Sequence, residues 1–239
     1  MDYLLELRRR LLYCLGFTAV VFCILSFYAN PLYELLTKPL LHQLPATHLI
    51  ATQISAPFLV PMKFAFIISL MLLMPLFFYH LWSFVAPALY VHERKKIWVL
   101  LLPSVVLFYI GFFFAYFVVL PIIFRFFVET TPAHVELLPD ISLYLGFAMQ
   151  ILFAFGLIFE VPIVVLLLIH FKISSLEELK KARRYVIVLS FVVGMVLTPP
   201  DVLSQTLLAV PMWLLYELGL VLAKIFLGAK DATIVSKPE

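Results

Sequence analysis

The feature that most constrains this chain is a series of apolar stretches that are each about as long as a bilayer is thick. A transmembrane helix needs roughly 20 predominantly apolar residues. Such stretches lie at about 11–29, 62–82, 97–120, 143–170, 185–198 and 203–222. With 64% apolar and only 13% charged residues, a chain of 239 residues cannot bury this much apolar surface in one soluble core. The sequence therefore predicts an all-α integral membrane protein, with a single membrane domain over residues 1–239.

The last two apolar stretches are short, whereas the third and fourth are long. The fifth contains about a dozen apolar residues between Arg184 and the Pro199–Pro200 pair, and a helix of that length reaches roughly 20 Å. The hydrocarbon core is about 30 Å thick. A re-entrant hairpin and two short spans that thin the bilayer locally are both compatible with this pattern. The tight acidic turn at Asp201 suits an outer surface, which favours two short spans and six transmembrane helices in total.

Charged residues divide the connections between these stretches into two sets. Clusters of Lys and Arg lie at 8–10, 94–96, 172–184 and 224–237. The alternate connections carry Glu34, Glu129, Glu136, Asp140 and Asp201, with few cations. Because an excess of Lys and Arg marks the cytoplasmic side of a membrane protein, we expect both termini to be cytoplasmic. An even number of spans follows from this orientation.

Glu160 is the one acidic residue in the middle of a long apolar stretch. A charge at mid-membrane costs about 2.5–3.5 kcal/mol on insertion scales. One interpretation is functional, a polar point on a substrate-facing surface or a carboxylate linked to proton movement. The other is structural, a protonated or hydrogen-bonded carboxyl that ties helices together near the backbone disrupted by Pro162.

Glu6 and Glu93 are acids set among cations, each followed closely by three basic residues. The local interpretation of Glu6 is a helical pair with Arg10, four residues on, which is worth a few tenths of a kcal/mol. The alternative is that both carboxylates receive an incoming cationic peptide, since carboxylates bind guanidinium groups in a bidentate manner. Spacing alone does not choose between them.

No motif in the sequence is typical of a catalytic or nucleotide-binding centre. Two lone histidines near span ends, His80 and His170, are weak grounds for a haem site, and we expect no cofactor, no metal and no nucleic-acid partner. A proton-coupled transporter of small solutes that uses Glu160 is the main alternative function. The chain lacks the internal repeats typical of many such transporters.

Four ordered motifs resemble one protein family over nearly the whole chain. They are Glu6–Leu11 (ELRRRL), Phe84–Arg94 (FVAPALYVHER), Phe155–Pro162 (FGLIFEVP) and Leu197–Gln205 (LTPPDVLSQ). Together they resemble the TatC family, the multi-spanning receptor of the twin-arginine protein translocase. The resemblance implies a concave, glove-like bundle of six helices in the cytoplasmic (inner) membrane, and a protein that is not an enzyme.

The resemblance also implies a function and a set of partners. Family members bind twin-arginine signal peptides on folded cargo, and export proceeds with single-span TatA- and TatB-type subunits in an oligomeric complex, driven by the proton motive force. Carried over to this chain, the signal-peptide site would consist of Glu6, Arg8, Phe84, Glu93 and Arg94.

The resemblance assigns four further positions outside that site. Glu160 would be the intramembrane polar residue on the concave face. Pro39 would shape the first outer loop, and Asp201 and Gln205 would lie at an edge that contacts partner subunits.

Overall fold

The computed structural model describes residues 2–41, 49–85, 94–132, 138–171, 173–197 and 202–231. Regular structure within this part of the chain is helical, apart from one isolated bridge between Ile50 and Asp140. The α-helices are α1 Asp2–Ser26, α2 Ala29–Leu41, α3 Ala56–Leu72, α4 Met74–Val85, α5 Arg94–Phe114, α6 Leu120–Glu129, α7 Ile141–Ile158, α8 Val161–His170, α9 Leu176–Leu197 and α10 Val202–Asp231. The predicted all-α architecture is therefore confirmed for the described residues.

Four helical segments are long and apolar enough to cross a membrane. They are Arg8–Ser26, Leu101–Glu129, Ile141–His170 and Ser204–Ile225. The bent pair Ala56–Leu72 and Met74–Ser83 makes a fifth candidate, with an angle of 45° at the break. The predicted fifth span falls in the second half of α9, whose first half is charged. A multi-spanning membrane protein follows from these lengths, while the count of six spans stays a prediction.

The third predicted span, at about 97–120, continues through Phe126 and Phe127, a continuation that its apolar pattern allows. The helix passes through a π-helical turn, Ala115–Val119, into α6. Pro121 lacks an amide hydrogen, and a π-helical turn can absorb such an interruption of the hydrogen-bond ladder. The segment Leu101–Glu129 therefore extends about 43 Å.

The fourth predicted span is broken in its middle. Helix α7 ends at Ile158 and α8 begins at Val161, with Phe159 and Glu160 in a turn between them. Pro162 lies in the first turn of α8, where its missing N–H leaves no helical hydrogen bond unmade. Glu160 thus occupies a helix junction rather than the interior of a helix.

The chain divides into two compact units. The first comprises residues 1–106 and 116–149, and here α1 packs on α3 and α4, while α2 packs on α3 and α6. Its most deeply buried side chains include Leu36, Ala65, Leu120, Ile123 and Ala148.

The second unit comprises residues 107–115 and 150–239, and here α10 packs on both α8 and α9. Gly219 of α10 permits a close approach to α8, since a Cβ at that position would lie 3.0 Å from Pro162 Cα. The Tyr216 hydroxyl donates to the carbonyl of Leu179, 2.7 Å away, and ties α10 to the start of α9.

Candidate functional site

The first turns of α1 carry Glu6, the only acid of the predicted signal-peptide site whose side chain is described. Its carboxylate pairs with Arg10, one helical turn further on, as the local interpretation predicts. Arg10 also donates from Nη1 to the backbone carbonyl of His80 in α4, 3.2 Å away. The Glu6 side chain is 45% exposed, whereas that of Arg10 is 18% exposed. The arginine is therefore held between two helices and presents a half-exposed carboxylate.

Two more arginines, Arg8 and Arg9, lie between Glu6 and Arg10 in the sequence of α1. Within the described part of the chain Arg8 is exposed and makes no hydrogen bond or ion pair. The guanidinium of Arg9 donates to the Tyr13 hydroxyl, at 3.3 Å from Nε and 3.2 Å from Nη2. Sequence reasoning selected Arg8 and missed the bridging role of Arg10, because the contact with His80 links residues 70 positions apart.

The other members of the predicted signal-peptide site are not placed together by the described residues. Glu93 lies outside them, as does Asp201 of the predicted partner-contacting edge. Phe84 lies in α4 and Arg94 begins α5, but both side chains are also outside the described part. The grouping of Glu6, Phe84, Glu93 and Arg94 accordingly stays a prediction.

The helix junction at Glu160 is surrounded by close aromatic packing. Phe114 lies 5.7 Å from Phe155 and 5.6 Å from Phe159, measured between ring centroids. A Cβ added at Gly111 would lie 2.5 Å from the Phe155 carbonyl oxygen. Oε1 of Glu160 is shielded from solvent within this unit. The junction therefore places a carboxyl oxygen away from water without placing the residue inside a regular helix.

Pro39, predicted to shape the first outer loop, is buried within α2. A proline at this position has no N–H to donate to the carbonyl four residues earlier, that of Leu35. The Tyr116 hydroxyl donates to that carbonyl instead, 2.6 Å away, and the Tyr144 hydroxyl donates to the carbonyl of Leu36, 2.7 Å away. We call this arrangement the α2 elbow; two tyrosines from other helices stabilise it.

Asp140, immediately before α7, is the residue of this region that sequence reasoning missed. Its Oδ1 accepts from the amides of Ser142 and Leu143, at 2.8 and 3.1 Å, as a helix N-cap. Its Oδ2 accepts from the amide and hydroxyl of Thr52, at 3.0 and 2.7 Å. An aspartate just before an apolar helix is the sequence pattern that indicates the cap.

These four hydrogen bonds define the Asp140 clamp, which joins the segment before α3 to the start of α7. The Thr52 hydroxyl is the largest influence that lowers the pKa of Asp140, to about 2, with the amides of Thr52, Leu143 and Ser142 acting in the same direction. Burial, and secondarily the charge of Asp140, raises the pKa of Tyr33 to about 12. The aspartate is therefore charged and the phenol neutral over the whole physiological range of pH.

Gln205, the described residue of the predicted partner-contacting edge, joins α9 and α10. Its Nε2 donates to the carbonyl of Phe191, 2.8 Å away, and Gly194 faces it closely enough that an added Cβ would lie 3.1 Å from its Cγ. Further along the same pair of helices, Arg183 Nη2 lies 2.7 Å from Glu217 Oε2. This pair joins the side chains of α9 and α10 near the start of α9.

The described residues contain no group of three or more His, Cys, Asp or Glu side chains that could hold a metal ion. Several of their polar side chains instead donate to backbone carbonyls of another helix, as Arg10, Tyr144 and Gln205 do. The arrangement can present charged groups to a partner and can hold helices in register.

Comparison with known proteins gives a consistent result at the level of the family and of single relatives. A family model described as Sec-independent protein translocase protein (TatC) matches residues 2–211. The chain is 48% identical over 227 residues to the protein TatC of Escherichia coli (strain K12), with 95% of this chain and 88% of that protein covered. It is 44% identical over 234 residues to TatC of Haemophilus influenzae, with coverage of 98% and 91%.

Solved structures agree with these relatives. A crystal structure described as the twin arginine translocase receptor TatC is similar to this chain with a TM-score of 0.81 and 34% identity, covering 93% of this chain and 98% of that one. A second, described as the same receptor in DDM, has a TM-score of 0.83 and covers 93% and 99%.

Proposed function

Since the chain belongs to the TatC family of Sec-independent protein translocase proteins, we propose that it is the subunit that receives twin-arginine signal peptides on folded proteins. It is a multi-spanning membrane component of a protein translocase and not an enzyme. The observation that carries the proposal is the half-exposed carboxylate of Glu6, which pairs with Arg10, while Arg10 itself bonds to the His80 carbonyl of α4.

The chemistry of Glu6 suits recognition of an arginine in preference to a lysine. A guanidinium has a planar set of donors that matches the two oxygens of a carboxylate, whereas an ammonium is a compact point charge. Because Arg10 retains its bond to the His80 carbonyl, an incoming guanidinium can share or replace its contact with Glu6 without freeing α1. Glu93 supplies the second carboxylate in this proposal, with Arg8, Phe84 and Arg94 around the peptide.

The same proposal places the recognition site on the cytoplasmic side of the inner membrane, with both termini on that side. The clusters of Lys and Arg at 8–10, 94–96 and 172–184 support this orientation. A cytoplasmic site is where a newly folded cargo protein first meets the membrane. The Asp140 clamp and the α2 elbow then belong to the outer side.

The remaining predicted residues have roles in assembly. We assign Glu160 to the contact with an inserted signal peptide or a partner helix, and Pro39, Asp201 and Gln205 to surfaces that meet single-span TatA- and TatB-type subunits. Transport is powered by the proton motive force in this proposal. The chain itself offers no nucleotide-binding motif that would supply an alternative source of energy.

The experiment that tests the function is export of a folded fluorescent protein carrying a twin-arginine signal, in cells whose own TatC gene is replaced by this one. We expect export with the wild-type chain and at least a tenfold loss with Glu6→Gln. Glu129→Gln is the matched control, because Glu129 also pairs with an arginine four residues away and is 60% exposed. It should leave export unchanged.

Two outcomes would contradict the proposal. One is export that is equally efficient when the arginine pair of the signal is replaced by two lysines. The other is undiminished export with Glu6→Gln. Uptake of a small solute by vesicles that contain only this chain, abolished by Glu160→Gln, would support the proton-coupled transporter instead.

A further inference from the structure

A shallow apolar groove of about 150 Å³ lies between α9 and α10, in the second unit. Its walls are formed by Ile187, Phe191, Ala209, Val210 and Trp213. Ile187 and Phe191 are 39% and 37% exposed, so the groove opens away from the packed faces of the two helices. An open groove with wholly apolar walls suits a hydrocarbon chain.

The groove continues into exposed cations along one stripe of α9. Lys180, Arg184, Ile187 and Phe191 follow a spacing of four, three and four residues, which places them on one face of a helix. Lys180 and Arg184 are both exposed. The stripe from Lys180 to Phe191 spans about 16 Å, close to half the thickness of a bilayer core, which is about 30 Å.

Neighbouring charges leave these cations free to bind an anion. Arg183, the adjacent cation, is already paired with Glu217, and Glu178 is committed to the amide of Ser175, 2.9 Å away. Glu177 is the remaining acid at this end of α9, against three exposed cations, Lys180, Lys181 and Arg184. The Arg184 guanidinium lies 4.9 Å from the Tyr185 ring, and an aromatic ring at this position is typical of the headgroup region.

We propose that the groove and its cations bind one anionic phospholipid, with the phosphate at Lys180 and Arg184 and an acyl chain against Ile187, Phe191 and Trp213. A phospholipid fits better than a helix for two reasons. A helix is about 10 Å across, whereas the groove extends over only about one turn of each wall, Ile187–Phe191 and Ala209–Trp213. A phosphate matches the excess positive charge at its end, and the inference does not depend on signal-peptide binding.

The test uses the full chain in nanodiscs of phosphatidylcholine that contain 10 mole per cent of a brominated lipid, either phosphatidylglycerol or phosphatidylcholine. Trp213 is one of three tryptophans, so it is observed alone in a Trp82→Phe, Trp98→Phe background. We expect brominated phosphatidylglycerol to quench Trp213 more strongly than brominated phosphatidylcholine. The preference should fall by about fivefold for each cation removed, in Lys180→Gln and in Lys180→Gln with Arg184→Gln.

The matched control removes two exposed cations elsewhere, Lys38→Gln with Lys63→Gln, and should keep the full preference. Retention of phosphatidylglycerol by the wild-type chain in native mass spectrometry is a second measurement that needs no tryptophan replaced. Val210→Phe, which fills the groove, should reduce quenching by both lipids, because it displaces the acyl chain.

Three results would overturn the proposal. Equal quenching by the two lipids would remove the anionic preference, and a preference that survives Lys180→Gln with Arg184→Gln would place the headgroup elsewhere. Absence of quenching by either lipid would mean that no acyl chain lies against Trp213.

Discussion

The start of α1 and the α2 elbow both use a side chain of one helix to bind a carbonyl of another, but they differ in what they leave exposed. At the elbow, the Tyr116 and Tyr144 hydroxyls satisfy the carbonyls of Leu35 and Leu36, in the turn before Pro39. At the start of α1, Arg10 satisfies the His80 carbonyl and still leaves the Glu6 carboxylate 45% exposed. A contact between helices whose polar groups are all satisfied stabilises the fold. A contact that leaves a charged group accessible can also bind an incoming partner.

The largest effect should follow from Tyr116→Phe, which leaves the Leu35 carbonyl without its donor. A hydrogen bond typically contributes about 0.5–1.5 kcal/mol to stability, and because Leu35 is 50% exposed we expect the free energy of unfolding in mixed micelles to fall by about 1.5 kcal/mol at most. In a Pro39→Ala background the helix regains its own amide donor for Leu35. There the same change should cost less than about 0.5 kcal/mol.

Tyr28→Phe is the control for this double-mutant cycle, because Tyr28 is 61% exposed. Equal costs of Tyr116→Phe in the two backgrounds would show that the tyrosine does not replace the proline's missing amide. The α2 elbow would then not be a contact in which a tyrosine hydroxyl replaces a missing backbone donor.

A smaller effect should separate the two described Glu–Arg pairs that each lie within one helix. Arg10→Gln removes a bond between helices as well as the pair with Glu6, so we expect a loss of about 1 kcal/mol in the free energy of unfolding. Arg125→Gln removes only a pair within α6, in which both side chains are more than half exposed, and should change stability by less than about 0.5 kcal/mol. Equal losses would contradict the bridging role of Arg10.

The effect expected at Asp140 depends on pH and becomes the smallest at low pH. Asparagine can still cap α7 through its amide oxygen, but its NH2 group cannot accept the two hydrogen bonds from Thr52, so Asp140→Asn should lower the unfolding temperature at pH 7. The pKa of Asp140 is lowered from 3.8 to about 2, so its charge stabilises the clamp above pH 4 and this contribution is lost as the pH falls from about 4 to 2. Thermal unfolding of wild type and variant should therefore converge over that range, and parallel curves would contradict the assignment.

Local patterns predicted the all-α character of the described residues and one ion pair, but not the contacts that link distant helices. Apolar length indicated the segments that are candidates for crossing the membrane, and a spacing of four residues indicated the pair of Glu6 with Arg10. The Asp140 clamp depends on Thr52, 88 residues away, and the elbow depends on Tyr116, 81 residues from Leu35. Pro39 does predict an unsatisfied carbonyl at Leu35, but no local pattern indicates which hydroxyl would satisfy it.

The junction at Glu160 also combines a feature that the sequence indicates with contacts that only the folded chain reveals. The sequence indicates a charged residue beside a proline, and insertion cost makes that residue unusual. Pro162 accounts for the turn between α7 and α8, but the close approach of Gly111 to Phe155 is shown only by the tertiary structure. Sequence reasoning thus selected the residue and its disrupted backbone, but not the aromatic packing beside it.

The central claim is that the Glu6 carboxylate receives the arginines of a signal peptide. Its most direct test is to measure peptide affinity for the purified chain in detergent while both Glu6 and the peptide arginines are varied. Peptides with paired arginines and with paired lysines are titrated against the wild type, Glu6→Gln and the control Glu129→Gln. We predict that the arginine peptide binds the wild type and the control at least tenfold more tightly than its lysine twin, and that Glu6→Gln removes most of this preference. An arginine preference that is unchanged by Glu6→Gln would contradict the claim that this carboxylate receives the signal peptide.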